Sequence, residues 1–187
     1  MAKRVRAVDW LEQGLHLLSA EGVHALTIDR LCTTLEKSKG SFYHHFKDMA
    51  AYNAALLHLW QERHTTDVIR QVEQDADRAG RNQRLNAVVL KLDHRLDQII
   101  RGWARHDPRA ALAVQQVDQL RLGYMAELFE ARALPAETAR ALAEMEYTTF
   151  LGAQQRFVDL GAPQSAAVRQ TLIDAIEAYI HRPDVTQ

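Results

Sequence analysis

Residues 27–52 of the chain read TIDRLCTTLEKSKGSFYHHFKDMAAY, and several helix starts are written into them. The Thr27 hydroxyl can accept a hydrogen bond from a free first-turn N–H and so cap a helix. Leu26 just before it and Leu31 four residues after it stand at hydrophobic-staple positions. The helix they open is short and ends near Leu35. Ser38 offers a second N-cap three residues later, and Asp48 a third. Two short helices joined by so tight a connection form a helix-turn-helix. Phe42 and Phe46, four apart, share one face and can bury together, while Tyr43 and His44 project from other faces.

Outward from this stretch the pattern stays helical. Upstream, Ala7, Val8, Leu11, Leu15 and Leu18 make the stripe of an amphipathic helix over about 5–20, with Gly22 as its C-cap. Downstream, Tyr52, Ala55, Leu56, Leu59 and Trp60 mark a helix from Asp48 into the mid-60s. Residues 73–84 are polar, contain Gly80 and read as a loop. Leu85 to Trp103 keep helical spacing for five turns. Asp107-Pro108 is an N-cap followed by proline at the first helical position, starting helices over about 108–116 and 118–133. Leu134-Pro135 breaks the chain again. The last two helices run over about 136–160 and 165–181, separated by Gly161-Ala162-Pro163, with Ser165 as the second N-cap. No strand-like alternation occurs. The fold class is all-α with about nine helices: a head over 1–48 and a helical body over 49–187.

Composition agrees. The 187 residues are 47% hydrophobic and 25% charged, with only eight glycines and four prolines; such a chain folds, and favours helices. The single Cys32 allows no internal disulfide, so a reducing cytoplasm is the expected compartment. Lys3, Arg4 and Arg6 are followed by Asp9 and Glu12, unlike a signal peptide. No apolar run approaches the roughly 18 to 20 residues a membrane span needs. Net charge is −1, but residues 1–47 hold seven Lys/Arg against five Asp/Glu (+2) and the remainder 16 against 19 (−3). That sign suits a nucleic-acid-binding head on an acidic body.

Ser38-Lys39-Gly40-Ser41-Phe42-Tyr43-His44-His45-Phe46-Lys47 resembles the recognition-helix motif of the TetR (tetracycline-repressor-like) family, and Gly22-Val23…Leu26-Thr27-Ile28 resembles that family's upstream spacing. The resemblance covers about residues 8–56. It implies a transcriptional regulator, a repressor released from a palindromic double-stranded DNA operator by a small-molecule effector and acting as a homodimer. It implies DNA contacts for Thr27, Lys39, Tyr43, His44 and Lys47. The residues themselves suit a groove: Gly40 carries no side chain to hold the helix off, and Lys37, Ser38, Lys39 and Ser41 offer small or flexible donors near a helix N-terminus. Lys3, Arg4 and Arg6 add a basic arm. Two departures stand out. Glu36 and Lys37 occupy a turn where the family has a glycine and an aliphatic residue, and Met49 replaces a lysine at the start of the fourth helix. Glu36 is expected to strain the turn.

The body offers less. Its aromatics are core residues by default, and the resemblance places an effector cavity among the middle helices, with Trp60, His94, Trp103, Tyr124 and Phe129 as candidates. The last two helices carry apolar residues on more than one face, wider than a monomer core needs. Burial in a larger core is one reading. The resemblance implies the other, a four-helix dimer interface through Leu142, Met145, Phe150, Phe157, Leu172, Ile176 and Tyr179.

The nine histidines invite a metal reading. Yet neither His58 with Glu62 nor Asp93, His94 and Asp97 finds a third ligand at a recognisable spacing, so no metal or other cofactor is expected. A helical enzyme would need a phosphate loop, a metal motif or a nucleophile–base pair, and none is visible. A helical adaptor that binds only protein would show no salt-dependent affinity for DNA.

Overall fold

The structure, a computed structural model, describes residues 5–74 and 80–182. In chain order it contains α1 (Ala7–Glu21), α2 (Ile28–Leu35), α3 (Lys39–His45), α4 (Met49–Gln61), α5 (Asp67–Glu73), α6 (Arg81–Val89), α7 (His94–Ala104), α8 (Pro108–Glu130), α9 (Ala136–Arg156) and α10 (Pro163–Ile180). A π-helical segment, Glu62–Thr66, joins α4 to α5 without a break. Counting that run once, the described residues form nine helices and no strand. The chain divides into two compact units, Met1–Asp67 with Asp93–Gln116, and Val68–Leu92 with Val117–Gln187.

In the first unit, α1 buries Trp10, Gly14, Leu17 and Leu18. This stripe differs from the expected one, of which only Leu18 is fully buried, because Trp10 and the gap at Gly14 set the facing surface. Tyr52 of α4 occupies that gap. Its hydroxyl donates to the Trp10 carbonyl at 2.8 Å, and a Cβ on Gly14 would stand 2.0 Å from the same oxygen. Burial raises the Tyr52 phenol well above its ordinary pKa, so it stays a donor. Against the other part of α1 lies α7, burying Leu96 and Ile100. Ser19 donates to Asp93 at 2.5 Å, and Asp93 also caps α7 by accepting the Leu96 N–H at 3.1 Å. Asp97, 2% exposed, is neutralised by Arg101 at 3.0 Å.

In the second unit, Phe129, Leu134, Ala139, Leu142, Ile176 and Ile180 meet in one apolar cluster of α8, α9 and α10. The Arg132 guanidinium closes its edge on Glu177 with bonds of 2.7 and 2.6 Å, holding that carboxyl below its ordinary pKa. A second cluster joins Val72, Tyr124 and Leu128, with Ile69 and Leu85 against it. The Tyr124 hydroxyl donates to Glu73 at 2.7 Å, and Arg81 pairs with the same carboxylate at 2.7 Å.

Several boundaries differ from the sequence expectation. The five-turn helix over 85–103 is two helices, broken by the turn at Leu90–Leu92 and restarted by the Asp93 cap. Conversely, the helices expected over 108–116 and 118–133 are one, because Gln115 to Asp118 contain neither Gly nor Pro to stop it. Its start is as read: Asp107 accepts the Arg109 and Ala110 N–H groups at 2.8 and 3.1 Å. α9 ends at Arg156 rather than near 160. Ser165 is no cap. It lies inside α10, 2% exposed, while Ala162 holds the N-cap position and Pro163 pre-sets the first helical φ. The helix from Asp48 passes the mid-60s and reaches Glu73. Of the loop expected over 73–84, residues 75–79 lie outside the described residues, and Arg81 onward is helical.

Gly14→Ala should destabilise the protein by about 1–3 kcal/mol, the usual cost of forcing a methyl into packed space. Tyr52→Phe removes the oxygen that the methyl would meet. In urea unfolding, Gly14→Ala should therefore cost less in the Tyr52→Phe background than alone; equal costs would show that the hydroxyl is not the obstacle.

Candidate nucleic-acid interface

Three successive helices, α2, α3 and α4, each start on a side-chain cap. Thr27 Oγ1 accepts the Arg30 N–H at 3.2 Å, Ser38 Oγ the Ser41 N–H at 3.3 Å, and Asp48 Oδ1 the Ala51 N–H at 2.8 Å. The two hydroxyl caps use an oxygen lone pair, which leaves the O–H proton to be given to an outside acceptor such as phosphate. Between α2 and α3 the turn is a Schellman motif. The Glu36 N–H bonds the Thr33 carbonyl at 3.2 Å and the Lys37 N–H bonds the Cys32 carbonyl at 2.9 Å. Glu36 sits in the left-handed region at φ 53°, ψ 45°, where a side chain is strained. The strain expected from its replacement of glycine is therefore present.

With seven residues, α3 is too short to hold its shape alone. Its inner face fixes it. Phe42 is fully buried, with ring centroids 5.5 Å from Trp10, 5.4 Å from Phe46 and 5.4 Å from Tyr52. These edge-on and tilted arrangements suit aromatic quadrupoles. Seating Phe42 and Phe46 inward turns the residues between them outward: Tyr43 is 54% exposed and His44 is exposed. His45 is half-buried, with Nε2 3.1 Å from the Val5 carbonyl, so it ties the end of α3 to the chain just before α1. That contact makes it a packing residue.

The nine residues expected to meet DNA all reach solvent. Thr27, Ser38, Lys39, Gly40, Tyr43, His44 and Lys47 are exposed, and Lys37 and Ser41 partly so. A Cβ on Gly40 would find only Ser38 Oγ, at 3.7 Å. Among the described residues nothing asks for a glycine there. Arg6 folds back on Asp9 at 3.1 Å, while Lys3 and Arg4 lie outside the described residues. Cys32 is buried, and burial raises its thiol above the ordinary value, away from the reactive thiolate.

Sequence reading missed two acids on this surface. Asp29 holds the Lys39 ammonium at 2.6 Å, and Glu21 holds Arg30 at 2.5 Å. The hydrogen bond that Lys39 donates to Asp29, with the charge of that carboxylate, raises Lys39 above the ordinary lysine value. Neither pairing follows helical spacing, so no one-dimensional signal announces them. Gly14 did carry a signal: a glycine inside a helical pattern costs about 1 kcal/mol against alanine and asks for a packing reason.

The other candidates are scattered. Trp60 is fully buried in α4, and His94 and Trp103 are half-buried in α7. Tyr124 joins the cluster at Glu73 and Arg81, whereas Phe129 packs in the other cluster with Leu142 and Ile176. Leu142 and Ile176 thus serve the chain's own core, with Leu172 against it. Met145 and Tyr179 are 42% and 37% exposed, and Phe150 and Phe157 partly so. His58 and Glu62 form an i, i+4 pair at 3.7 Å. Among the described residues no group of three or more His, Cys, Asp or Glu is placed to hold a metal ion, and no helix is long and apolar enough to cross a membrane.

Residues 11–52 match the family model for bacterial regulatory proteins of the tetR family. No curated protein matches the sequence. Solved structures do. A TetR transcriptional regulator from Legionella pneumophila superposes with a TM-score of 0.79 at 13% identity, covering 94% of this chain and 99% of its own. A TetR-family regulator from Rhodococcus sp. gives 0.70 at 15%, covering 92% and 97%. One from Shewanella sp. PV-4 gives 0.62 at 21%, covering 94% and 98%. At these identities the likeness establishes the fold.

Glu36→Gly should relieve the left-handed strain and stabilise the protein by about 1 kcal/mol. Thermal unfolding reads this as a melting temperature raised by a few degrees. No gain would mean the turn tolerates its side chain without cost.

Proposed function

We propose that the chain, whose head matches the model for tetR-family bacterial regulatory proteins and whose fold is shared with such regulators, is a ligand-responsive transcriptional repressor of that family whose head grips a palindromic operator. The observation that carries this reading is the outer face of α3. A seven-residue helix is pinned from within by Phe42 and Phe46, while its outer side presents Lys39, Tyr43, His44 and a glycine that no described residue requires. A helix lying in a major groove needs that combination of backbone access and flexible donors.

In this reading residues 1–48 form the DNA-binding head and 49–187 the effector-binding and dimerising body, in the cytoplasm. Thr27 and Ser38 donate their hydroxyl protons to phosphate, Lys37, Lys39 and Lys47 supply charge, and Ser41, Tyr43 and His44 complete the contact. Two heads of a symmetric dimer meet successive major grooves. The exposed Met145 and Tyr179, with the half-buried Phe150 and Phe157, dock a second copy through α9 and α10. An effector held by the body, with Trp60, His94, Trp103, Tyr124 and Phe129 as its candidate contacts, shifts affinity only by its preference for one conformer. Such a compound should both raise the melting temperature and release DNA; one that does the first alone is not an effector.

Mobility shift against the DNA upstream of the protein's own gene tests the interface. Gly40→Leu should abolish binding without lowering the melting temperature, and Lys39→Ala should weaken it about tenfold, the worth of one charge-assisted contact. Unchanged affinity in both variants would remove α3 from the interface. An adaptor that binds only protein would show no decline of DNA affinity with salt.

Sedimentation velocity should give a dimer, and Met145→Asp with Tyr179→Asp a monomer of weaker DNA affinity. A dimer that survives both charges would place the interface elsewhere.

A further inference from the structure

Besides Arg6 on Asp9, two cations on the head are already engaged. Lys39, the first residue of α3, rests on the Asp29 carboxylate at 2.6 Å, and Arg30 of α2 rests on Glu21 at 2.5 Å. Lys37 and Lys47, by contrast, form no ion pair among the described residues. Side-chain exposure is 60% for Lys39 and 76% for Asp29. Pairs so open to water contribute little to stability, and the aromatic core already fixes α3. The carboxylate beside Lys39 therefore asks for another reason.

Resting on the DNA-binding reading above, we propose that Asp29 is a specificity-determining residue: by holding the Lys39 ammonium, it makes every phosphate compete with a carboxylate for that cation. DNA of arbitrary sequence is bound almost wholly through cation–phosphate contacts. A phosphate brought onto Lys39 either displaces Asp29 or shares the one ammonium with it, and in both cases sets a second anion beside the carboxylate. A base edge makes no such demand. An ammonium has three N–H donors, so one can stay on Asp29 while the others reach neutral acceptors such as guanine O6 and N7. The pair thus lowers affinity for arbitrary DNA more than for the preferred sequence.

The test uses the full chain and two fluorescein-labelled duplexes. One has random sequence; the other is recovered from a random library by selection on the wild-type protein. Anisotropy is followed across salt concentrations for the wild type, Asp29→Asn, Lys39→Gln and the double variant. Asp29→Asn should bind the random duplex up to about fivefold tighter, the upper range for an exposed pair. Its log–log salt slope should steepen by about 0.9, the signature of one added phosphate contact. Affinity for the selected duplex should rise less, so the ratio between the two falls. In the Lys39→Gln background, Asp29→Asn should leave the slope unchanged.

An Asp29→Asn protein that binds random DNA no better overturns the proposal. So does an effect of equal size without Lys39, which would mark a general loss of negative charge. Wild-type protein that binds neither duplex in a salt-dependent way removes the DNA-binding reading itself, a result read without any variant. Asn keeps a polar group in the first turn of α2, and melting curves check that the variants fold.

Discussion

The hydrogen bond from Tyr52 to the Trp10 carbonyl, made across the missing side chain of Gly14, governs how α1 and α4 meet. A phenol buried that deeply must give its proton to something, and a helix carbonyl is available only if the helix surface is notched. The bond in turn positions a ring on which others depend. Phe46 stands edge-on to Tyr52 with centroids 5.0 Å apart, and Phe42 leans on both Tyr52 and Trp10. The short α3 takes its inward face from this aromatic seat.

From that seat the outer surface follows. With two phenylalanines committed inward, Lys39, Gly40, Tyr43 and His44 are left at the surface. The Schellman turn at Glu36 and the Ser38 cap set where α3 begins, so Gly40 falls in its first turn, next to the helix N-terminal N–H groups. Packing thus decides orientation, and the exposed positions are left free to carry chemistry. Much of the head's charge is meanwhile held in local pairs, Arg6 on Asp9, Arg30 on Glu21 and Lys39 on Asp29. Its field is milder than a count of basic residues suggests.

What the sequence disclosed was local. The caps at Thr27, Ser38, Asp48 and Asp107 are legible because a side chain two or three residues from a free N–H has one obvious use. The inward pair Phe42 and Phe46 is legible from helical spacing. Long-range choices were not. The break at Leu90–Leu92 is invisible because apolar spacing runs straight through it, and the stop decides itself when Asp93 meets Ser19, far away in the chain. Gln115 to Asp118 looked like an interruption only because polar residues cluster there. Leu142 and Ile176 look identical in sequence to Met145 and Tyr179, yet the first two face Phe129 and the others face water. The acids beside Arg30 and Lys39 come from folding α2 between α1 and α3, which no pattern encodes.

The π-helical segment at Glu62–Thr66 explains one more misreading and has a consequence of its own. Buried positions climb the helix as Tyr52, Leu56 and Trp60, then skip to Thr65 before resuming with Val68 and Val72. The stride of five is the wide turn, which passes over Arg63 and leaves it at the surface on Glu12 at 3.2 Å. A ladder that spends an extra residue rotates everything after it by roughly 100°. The segment therefore works as a phase adjuster. Excising a single residue from it would close the stride from Trp60 to the next buried position to the regular four, so the wide turn is what lets the helix carry one more residue, Arg63, at the surface without losing the phase of its buried face.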